Sequence, residues 1–396
     1  METINLYEKL EECCGCEICS NVCPQGIIKM KPDGEGFFYP IIIEENKCIN
    51  CKKCLQYCPV KNVSNYKSKT LGYYAGSFES EETKSCASGG AATAISCKIL
   101  DRGGVVYGVS YSSNYESISY IKVEKRDALE KLKGSKYAQA RKFNIYKEVK
   151  QDLREKKEVL FIGLPCEVAA VKEYCLGVDE NLYTVELICH GPTSLLIQKE
   201  YCNRIKHLYK EDIKEFSVRY KKNGKWKPYY IRAKMKNGEE HIQEFHKSDY
   251  GIAFRYLKRP SCNVCKIKDG KFQGDITIGD YHAASNGMKG YNENGVSVLL
   301  PHTIKGKFLM ELKEERFNIV EIDRHSALLN QAISQAIPAK RYRKKFSKVL
   351  QKKGLVIAAS RLEVVFFDSI VLFKNRLLGY GSFIKKKLTR GRSRNL

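Results

Sequence analysis

The chain has 396 residues, of which 43% are hydrophobic and 25 are tyrosines, so it can bury the apolar surface of two or three compact units. Its 17 cysteines could suit a secreted disulfide scaffold, but such scaffolds are short, and the N-terminus METINLYEKLEECCGC lacks a signal-peptide pattern. We therefore expect reduced thiols in the cytoplasm. No apolar run approaches the roughly 18 residues that a membrane-spanning helix needs.

A cysteine motif that ends in proline occurs twice within the first 60 residues. The C-x2-C-x2-C part places three sulfurs around one iron–sulfur cube, and the remote cysteine before proline reaches the other cube. Zinc sites are the alternative, but they would leave the third cysteine and the proline of each copy without a purpose. The predicted ligands are Cys13, Cys16, Cys19 and Cys58 for one [4Fe-4S] cluster and Cys48, Cys51, Cys54 and Cys23 for a second, with Cys14 left out.

Residues 1–65 are thus predicted to form a bacterial-type dicluster ferredoxin domain, and the polar stretch 61–70 is predicted to be a linker. From residue 71 to 335, apolar runs with strand character alternate with amphipathic helical patterns, which indicates a mixed α/β domain. Strands are expected at 72–78, 104–111, 158–162, 183–188, 275–279 and 296–300, and helices at 89–100, 144–156, 167–175 and 194–208. Asn223-Gly224 and Asn237-Gly238 predict hairpin turns.

The third predicted unit is a basic, helical tail at residues 340–396. It holds 17 Lys and Arg against Glu363 and Asp368, a net charge of +15. An apolar face runs from Leu362 to Leu377, so the tail could pack on the protein or lie on an anionic membrane surface. Nucleic acid is not an expected partner, because the face offers no aromatic stacking platform.

Four later cysteines form a second candidate metal site. Cys166 and Cys189 each follow a predicted strand, where α/β folds build their sites, and Cys262 and Cys265 form a C-x2-C pair. The four could hold a third cluster, or they could be small buried residues with the pair binding zinc or nothing. Both interpretations stay open from spacing alone.

Two short turns could bind a phosphate. Ser88, Gly89 and Gly90 precede a predicted helix whose first N–H groups favour an anion, although such a sequence is also a simple helix cap. The segment Lys133-Gly134-Ser135-Lys136-Tyr137 offers two cations, a hydroxyl and an aromatic ring, although a lysine-rich turn is commonly only solvated surface.

The order of these motifs resembles that of the coenzyme F420 hydrogenase/dehydrogenase beta-subunit family. The resemblance covers roughly residues 8–330. It rests on the two cysteine motifs and on SGGA (88–91), KGSKYAQA (133–140), GLPCEVAAVK (163–172), CHGPTS (189–194), RPSCNVCK (259–266) and DITIGDY (275–281).

The resemblance implies an FAD-containing iron–sulfur oxidoreductase in which clusters exchange single electrons with the flavin. The flavin would exchange a hydride with an organic partner such as coenzyme F420 or another small molecule. It implies FAD contacts from Ser88, Gly89, Gly90, Lys133, Gly134, Ser135, Lys136, Tyr137, Gly163 and Pro165, and a cluster on Cys166, Cys189, Cys262 and Cys265. Catalytic roles are expected for His190, Asp280 and His282, the last of which stands where the family commonly has Trp.

Two functions follow as alternatives. In the first, the chain is an enzyme that passes electrons between its clusters, FAD and an organic substrate. In the second, it is an electron-transfer subunit that docks on a protein donor or acceptor in a larger complex. Either form is expected in the cytoplasm, where the basic tail could attach it peripherally to the inner membrane face.

Overall fold

The computed structural model describes residues 4–62, 69–79, 81–268, 271–333 and 336–360. The strands are β1 (Ile28–Pro32), β2 (Phe38–Ile42), β3 (Tyr74–Phe78), β4 (Val105–Tyr111), β5 (Ile118–Val123), β6 (Val159–Gly163), β7 (Leu182–Leu187), β8 (Ile213–Tyr220), β9 (Tyr230–Met235), β10 (Glu240–Glu244), β11 (Ile276–Asp280), β12 (Ser297–Pro301) and β13 (Phe317–Glu321). The α-helices are α1 (Ile18–Val22), α2 (Lys53–Gln56), α3 (Ala91–Asp101), α4 (Ile145–Arg154), α5 (Pro165–Cys175), α6 (Leu195–Tyr209), α7 (Asp249–Tyr256), α8 (Ile304–Phe308), α9 (Arg324–Leu328) and α10 (Arg343–Ser360).

The N-terminal region is small and rich in loops. β1 and β2 form an antiparallel hairpin, and the short helices α1 and α2 each hold one motif cysteine, Cys19 and Cys54. Its own buried core consists of Ile27, Ile28 and Cys54. This is a small hydrophobic core for a unit of about 60 residues. A unit of this size depends on additional bonds for stability, and iron–sulfur clusters would supply them.

The centre of the molecule is a mixed sheet of eight strands in the order β13-β3-β12-β11-β7-β6-β4-β5. Four neighbouring strands, β11, β7, β6 and β4, run parallel, and antiparallel strands flank them on both sides. Val159, Leu160 and Phe161 of β6 are all fully buried, as expected for a strand that is covered on both faces. Val159 and Phe161 pack with α4 and α5, and Leu160 packs with α3 on the other face.

A second, three-stranded antiparallel sheet has the order β10-β9-β8. It packs against α6, α7 and α10, and Phe37 and Tyr39 from the N-terminal hairpin complete the same core. The turn at Asn237-Gly238 joins β9 to β10, and Asn223-Gly224 lies in the longer connection from β8 to β9.

The sequence predicts the central elements to within two residues at either end, and the mixed α/β class is confirmed. It does not predict β5, β13, α7, α8 or α9, whereas α10 lies in the segment that it predicts to be a helical tail. The basic segment 340–396 begins inside the fold, because Phe346, Leu350 and Leu355 of α10 are buried in the core of the second sheet. The predicted apolar face from Leu362 to Leu377 lies outside the described residues. Among the residues that are described, no helix is long and apolar enough to cross a membrane.

Candidate functional site

The cysteines predicted for the first cluster lie together. Cys19, in α1, is close enough to Cys13 and Cys58 for their charges to interact, and Cys16 is similarly close to Cys58. Cys58 belongs to the second motif in sequence but to the first group in space. This is the interleaving that the spacing predicts for a dicluster ferredoxin.

The second motif gathers in the same way. Cys54, in α2, lies near both Cys51 and Cys23, and Cys48 and Cys23 pack against the small core that contains Cys54. Cys23, the remote cysteine of the first motif, therefore lies with the second group. Cys51 is exposed, so this group reaches the surface of the protein.

The chemistry of these thiols suits an iron–sulfur cluster. Burial raises the pKa of Cys13 and Cys19, and it raises the pKa of Cys58 to about 11. Cluster binding must therefore release protons, because iron binds the thiolate form. Within the described ranges, no three His, Cys, Asp or Glu side chains converge as ligands of a single metal ion.

The four later cysteines also come together. Cys166 is the second residue of α5, directly after β6, and Cys189 follows the neighbouring strand β7, so the sheet brings them to one edge. Cys189 lies near Cys166 and Cys265, and Cys262 lies near both Cys189 and Cys265. A Cβ on Gly191 would approach the Cβ of Cys262 to 2.9 Å, so the chain is tightly packed at this point.

Cys14, which is not a predicted cluster ligand, joins the two regions. Its side chain lies close to Cys16 of the first group and to Cys166 of the later group, and these two contacts lower the pKa of Cys14. The same contacts raise the pKa of Cys16 and of Cys166. The only signal in the sequence is the second cysteine of the pair Cys13-Cys14, which the ferredoxin motif does not need.

A buried guanidinium holds the N-terminal loop on the α/β domain. The Nε of Arg259 donates to the Cys13 carbonyl over 2.7 Å, and its Nη1 donates to Gln139 over 2.9 Å. Gln139 donates in turn to the Cys14 carbonyl over 2.8 Å. Gly15 has a φ of +68°, and a Cβ there would lie 2.7 Å from the Arg259 guanidinium, so the loop requires glycine at this position.

A buried ion pair lies beside the same loop. Lys142 and Glu167 approach to 2.7 Å, and their side chains are 0% and 3% exposed. Lys142 also donates to the carbonyls of Gly15 and Ala140, and Tyr120 donates to Glu167 over 2.7 Å. Since Glu167 follows Cys166, this ion pair fixes the start of α5 next to the four later cysteines.

The predicted flavin contacts at 88–90 lie at the start of α3. Ser88 already donates its hydroxyl to the Val296 carbonyl over 2.8 Å, and a Cβ on Gly89 would lie 2.3 Å from the Gly76 carbonyl oxygen. These residues therefore have a packing role of their own. Gly90 is the N-cap with no side-chain cap, so the first N–H groups of α3 are left for an anion.

The segment 133–137 lies near this turn, but both of its lysines have protein partners. Lys133 donates to Glu130 and to Ser85, over 2.6 and 3.2 Å. Lys136 donates to several backbone carbonyls of its own turn, and burial lowers its pKa to about 7. Gly134 has a φ of +76° with open space around it, and the Ser135 carbonyl accepts a weak bond from Tyr111. Gly163, which ends β6, and Pro165, which begins α5, lie beside Glu167 and Cys166.

Arg219 connects these predicted contacts and was not predicted from the sequence. It donates to the Tyr137 hydroxyl over 3.1 Å and to the Ala87 carbonyl over 2.8 Å. It also pairs with Asp280 at 3.0 Å and lies over the Tyr229 ring. Its Nε is buried and, within the described part of the chain, has no hydrogen-bond partner. A free, buried N–H and an uncapped helix fit the phosphate or ring carbonyl of a flavin.

The three predicted catalytic residues lie in one region. Asp280 accepts a hydrogen bond from the Tyr229 hydroxyl over 3.2 Å in addition to its pair with Arg219. His282 is half-buried, and burial lowers its pKa. His190 is the most exposed of the three; burial of part of its ring lowers its pKa, with Asp280 and His282 within electrostatic range.

Two cavities lie at the end of the large sheet that is opposite to Cys166 and Cys189. One of about 290 Å³ is lined by Lys172, Asp275 and Lys305, and a neighbouring one of about 500 Å³ also includes Lys305. Neither is lined by a cysteine or by a predicted catalytic residue, so they are separate from the candidate site.

Two family models match parts of this chain. Residues 156–325 match the family model for the C terminus of the coenzyme F420 hydrogenase/dehydrogenase beta subunit, and residues 12–63 match a 4Fe-4S dicluster domain. The chain is 37% identical over 67 residues to an uncharacterized polyferredoxin-like protein of Methanocaldococcus jannaschii. It is 38% identical over 53 residues to an uncharacterized ferredoxin of the same organism. The matches span 37% and 66% of those two proteins.

Among solved structures, the chain is similar to one in the F420-reducing [NiFe] hydrogenase complex from Methanosarcina barkeri. The two are 16% identical, with a TM-score of 0.45, and the match covers 76% of this chain and 93% of the other.

Proposed function

We propose, from the premise that this chain belongs to the coenzyme F420 hydrogenase/dehydrogenase beta-subunit family, that it is a flavin-dependent iron–sulfur oxidoreductase. Its family and its dicluster domain make it an iron–sulfur electron-transfer protein. The finer part of the proposal is that electrons pass between the ferredoxin clusters, a third cluster and FAD. An organic hydride carrier of the coenzyme F420 type would be the partner.

The position of Cys14 gives the most direct support for this proposal. Cys14 touches Cys16 on one side and Cys166 on the other, so the first and the later cysteine groups are adjacent. Electron transfer between centres needs such proximity, whereas a ferredoxin domain on a separate surface would be an accessory. Clusters carry single electrons, and a flavin would link them to two-electron hydride chemistry.

The residues around the candidate flavin site have roles that follow from their contacts. The N–H groups at the start of α3 and the free Nε of Arg219 would hold negatively polarised oxygens of the cofactor. Arg219 and Tyr229 orient Asp280. His282, neutral at pH 7 because burial lowers its pKa, can accept a proton beside that carboxylate.

Metal and flavin analysis of anaerobically prepared protein tests the proposal. About twelve irons and one FAD per chain are expected, because three cubes hold four irons each. About eight irons would remove the third cluster from the proposal, and zinc would remove the clusters altogether. Absence of flavin after reconstitution would contradict the enzymatic role.

A pair of variants in α5 makes the iron analysis specific. Cys166→Ala is expected to lower the iron content by about four per chain. Cys175→Ala is the matched control, because Cys175 is a buried cysteine of the same helix that packs in the apolar core. Equal iron contents in the two variants would contradict the third site.

Hydride exchange is tested separately with the reconstituted chain. The chemically reduced protein, mixed anaerobically with oxidised coenzyme F420, is expected to reduce it in proportion to the bound flavin. His282→Gln is expected to slow this step without lowering the iron or flavin content. A flavin-replete protein that does not react with coenzyme F420 would call for a different small-molecule partner.

The electron-relay function is a second candidate, favoured by one surface feature. Cys51 is exposed and Ile49 is 60% exposed, so the second cysteine group lies beneath an accessible, partly apolar surface. A protein donor or acceptor could approach there. Copurification of a stoichiometric partner, with no turnover by the isolated chain, would support this function over the first.

A further inference from the structure

The guanidinium of Arg259 is one of the most deeply buried charges in the described structure. The residue is 0% exposed and lies against the Tyr39 ring, 4.1 Å from its centroid. Its Nη2 donates to the Phe38 carbonyl over 3.0 Å and approaches the Cys13 Sγ at 3.5 Å. Its hydrogen-bond partners are neutral groups, apart from this thiol, which becomes a thiolate when it binds iron.

Arg259 also lies between two cysteine groups. Its side chain bonds the Cys13 carbonyl at 2.7 Å, and its own carbonyl accepts a hydrogen bond from the Cys262 amide over 2.9 Å. Gly15 leaves the space for the guanidinium, since a Cβ would lie 2.7 Å from it. The cysteine loop is thus built around this one cation.

We infer that Arg259 is a positioning residue that raises the reduction potential of the cluster bound by Cys13, Cys16, Cys19 and Cys58. The inference rests on the proposed function, which places a cluster on those cysteines. Electrons would then favour the cluster that lies next to the α/β domain.

The physical reason is the charge of the reduced cluster. Reduction adds one electron and no proton, so the net negative charge grows by one. A fixed cation nearby in a low-dielectric interior stabilises that charge, and a hydrogen bond to a ligand sulfur acts in the same direction. Arg259 provides both, because it cannot be deprotonated and its Nη2 faces the Cys13 sulfur.

The test is a potentiometric titration of the full chain, followed by electron paramagnetic resonance after the iron content has been measured. Arg259→Gln removes the charge and keeps an amide donor for the Cys13 carbonyl. It is expected to lower the equilibrium constant for reduction of the adjacent cluster by at least tenfold. This corresponds to a fall in reduction potential of about 59 mV for a one-electron couple. Arg259→Lys keeps the charge and is expected to stay much closer to the unaltered protein.

Gln139→Leu is the matched control. Gln139 bonds the same guanidinium and the same cysteine loop but is neutral and donates to a backbone carbonyl rather than to a sulfur. Its loss is expected to reduce thermal stability and to leave the potential unchanged. A fall in potential equal to that of Arg259→Gln would show that docking, and not charge, sets the potential, and would overturn the inference.

The remaining outcomes are also decisive. An unaltered chain that binds no iron contradicts the proposed function before Arg259 is examined. An iron-replete Arg259→Gln chain with an unchanged potential overturns the inference alone. Loss of iron from both Arg259→Gln and Arg259→Met also overturns it, because Arg259 would then be required for assembly and not for tuning.

Discussion

Single buried residues join the cysteine-rich region to the large sheet. Tyr146 donates to the Cys16 carbonyl over 2.7 Å, and Arg141 pairs with Glu17 at the same distance. Lys142 and Glu167 form the most buried ion pair of the interface. Removing one partner of such a pair leaves an uncompensated charge in the interior, which is costly even where the pair itself adds little.

The Lys142→Met variant is therefore expected to lose about 3–5 kcal/mol of unfolding free energy, because Glu167 stays buried without its cation. Anaerobic denaturant titration of the full chain measures this loss. Lys142→Met combined with Glu167→Gln is expected to recover part of it. A single variant as stable as the unaltered chain would contradict the pairing.

A buried histidine predicts part of the acid sensitivity. His302 is 5% exposed, stacks on Phe272 and lies 2.8 Å from the Thr277 hydroxyl, and burial lowers its pKa to about 3. Because the folded pKa lies below the unfolded value, the unfolded state binds the proton first. The stability due to neutral His302 is complete above about pH 6.5 and is lost as the pH falls toward about 3.

His302→Gln should consequently flatten the fall in thermal midpoint between about pH 6.5 and pH 3. His325→Gln is the control, because His325 is exposed. If the two variants show the same pH dependence as the unaltered chain, His302 does not contribute.

Among the elements, the short loop before α1 depends on a contact that no local pattern reveals. Gly15 and Gly26 have φ values of +68° and +65°, so both positions favour glycine to the same degree. They differ in their surroundings. A Cβ on Gly15 meets Arg259 and Gln139, whereas a Cβ on Gly26 meets nothing within 4 Å.

Gly15→Ala is accordingly expected to be more destabilising than Gly26→Ala by about 1–3 kcal/mol, the usual cost of overpacking. Thermal unfolding of the two iron-loaded variants measures this difference. The backbone strain cancels in the comparison, because alanine would have nearly the same φ at both positions. Equal midpoints would mean that Arg259 can move away at no cost.

At the scale of the whole molecule, the basic C-terminal segment divides into two parts. α10 belongs to the fold: Phe346 is fully buried, and Arg343 forms a bidentate pair with Glu35 of the N-terminal hairpin region. Removal of everything after residue 339 would therefore damage the core. Residues 361–396, which hold nine Lys and Arg, can be removed without cutting α10 as described.

A chain that ends at Ser360 is expected to retain its iron and to bind anionic vesicles more weakly than the full chain. Each basic residue near such a surface contributes about 1 kcal/mol, and salt screens the attraction. Flotation with vesicles of anionic and of neutral lipid measures the effect. Equal flotation of the two chains on anionic vesicles would exclude the segment as an anchor.

The sequence by itself determined the ferredoxin region and the central α/β elements. Both depend on local information: cysteine spacing dictates which thiols can reach one cube, and apolar runs of strand or helix length dictate the buried elements. The order of short motifs also predicted the family whose C-terminal model residues 156–325 match. The edge strands β5 and β13 were missed, because β5 mixes Ser and Lys with its apolar residues and β13 mixes Asn and Glu with its own.

Only the tertiary structure decided how the parts meet. Cys14 and Arg219 belong to no predicted site, and Arg259 stands in the motif RPSCNVCK without a predicted role. The partners that join these residues to other regions lie more than 60 residues away in sequence. Their importance arises from burial and from contacts with distant groups, which no short window of sequence contains. Burial against distant residues also decides the place of α10. Its charged sequence suggests a tail, but its apolar side chains lie in the core.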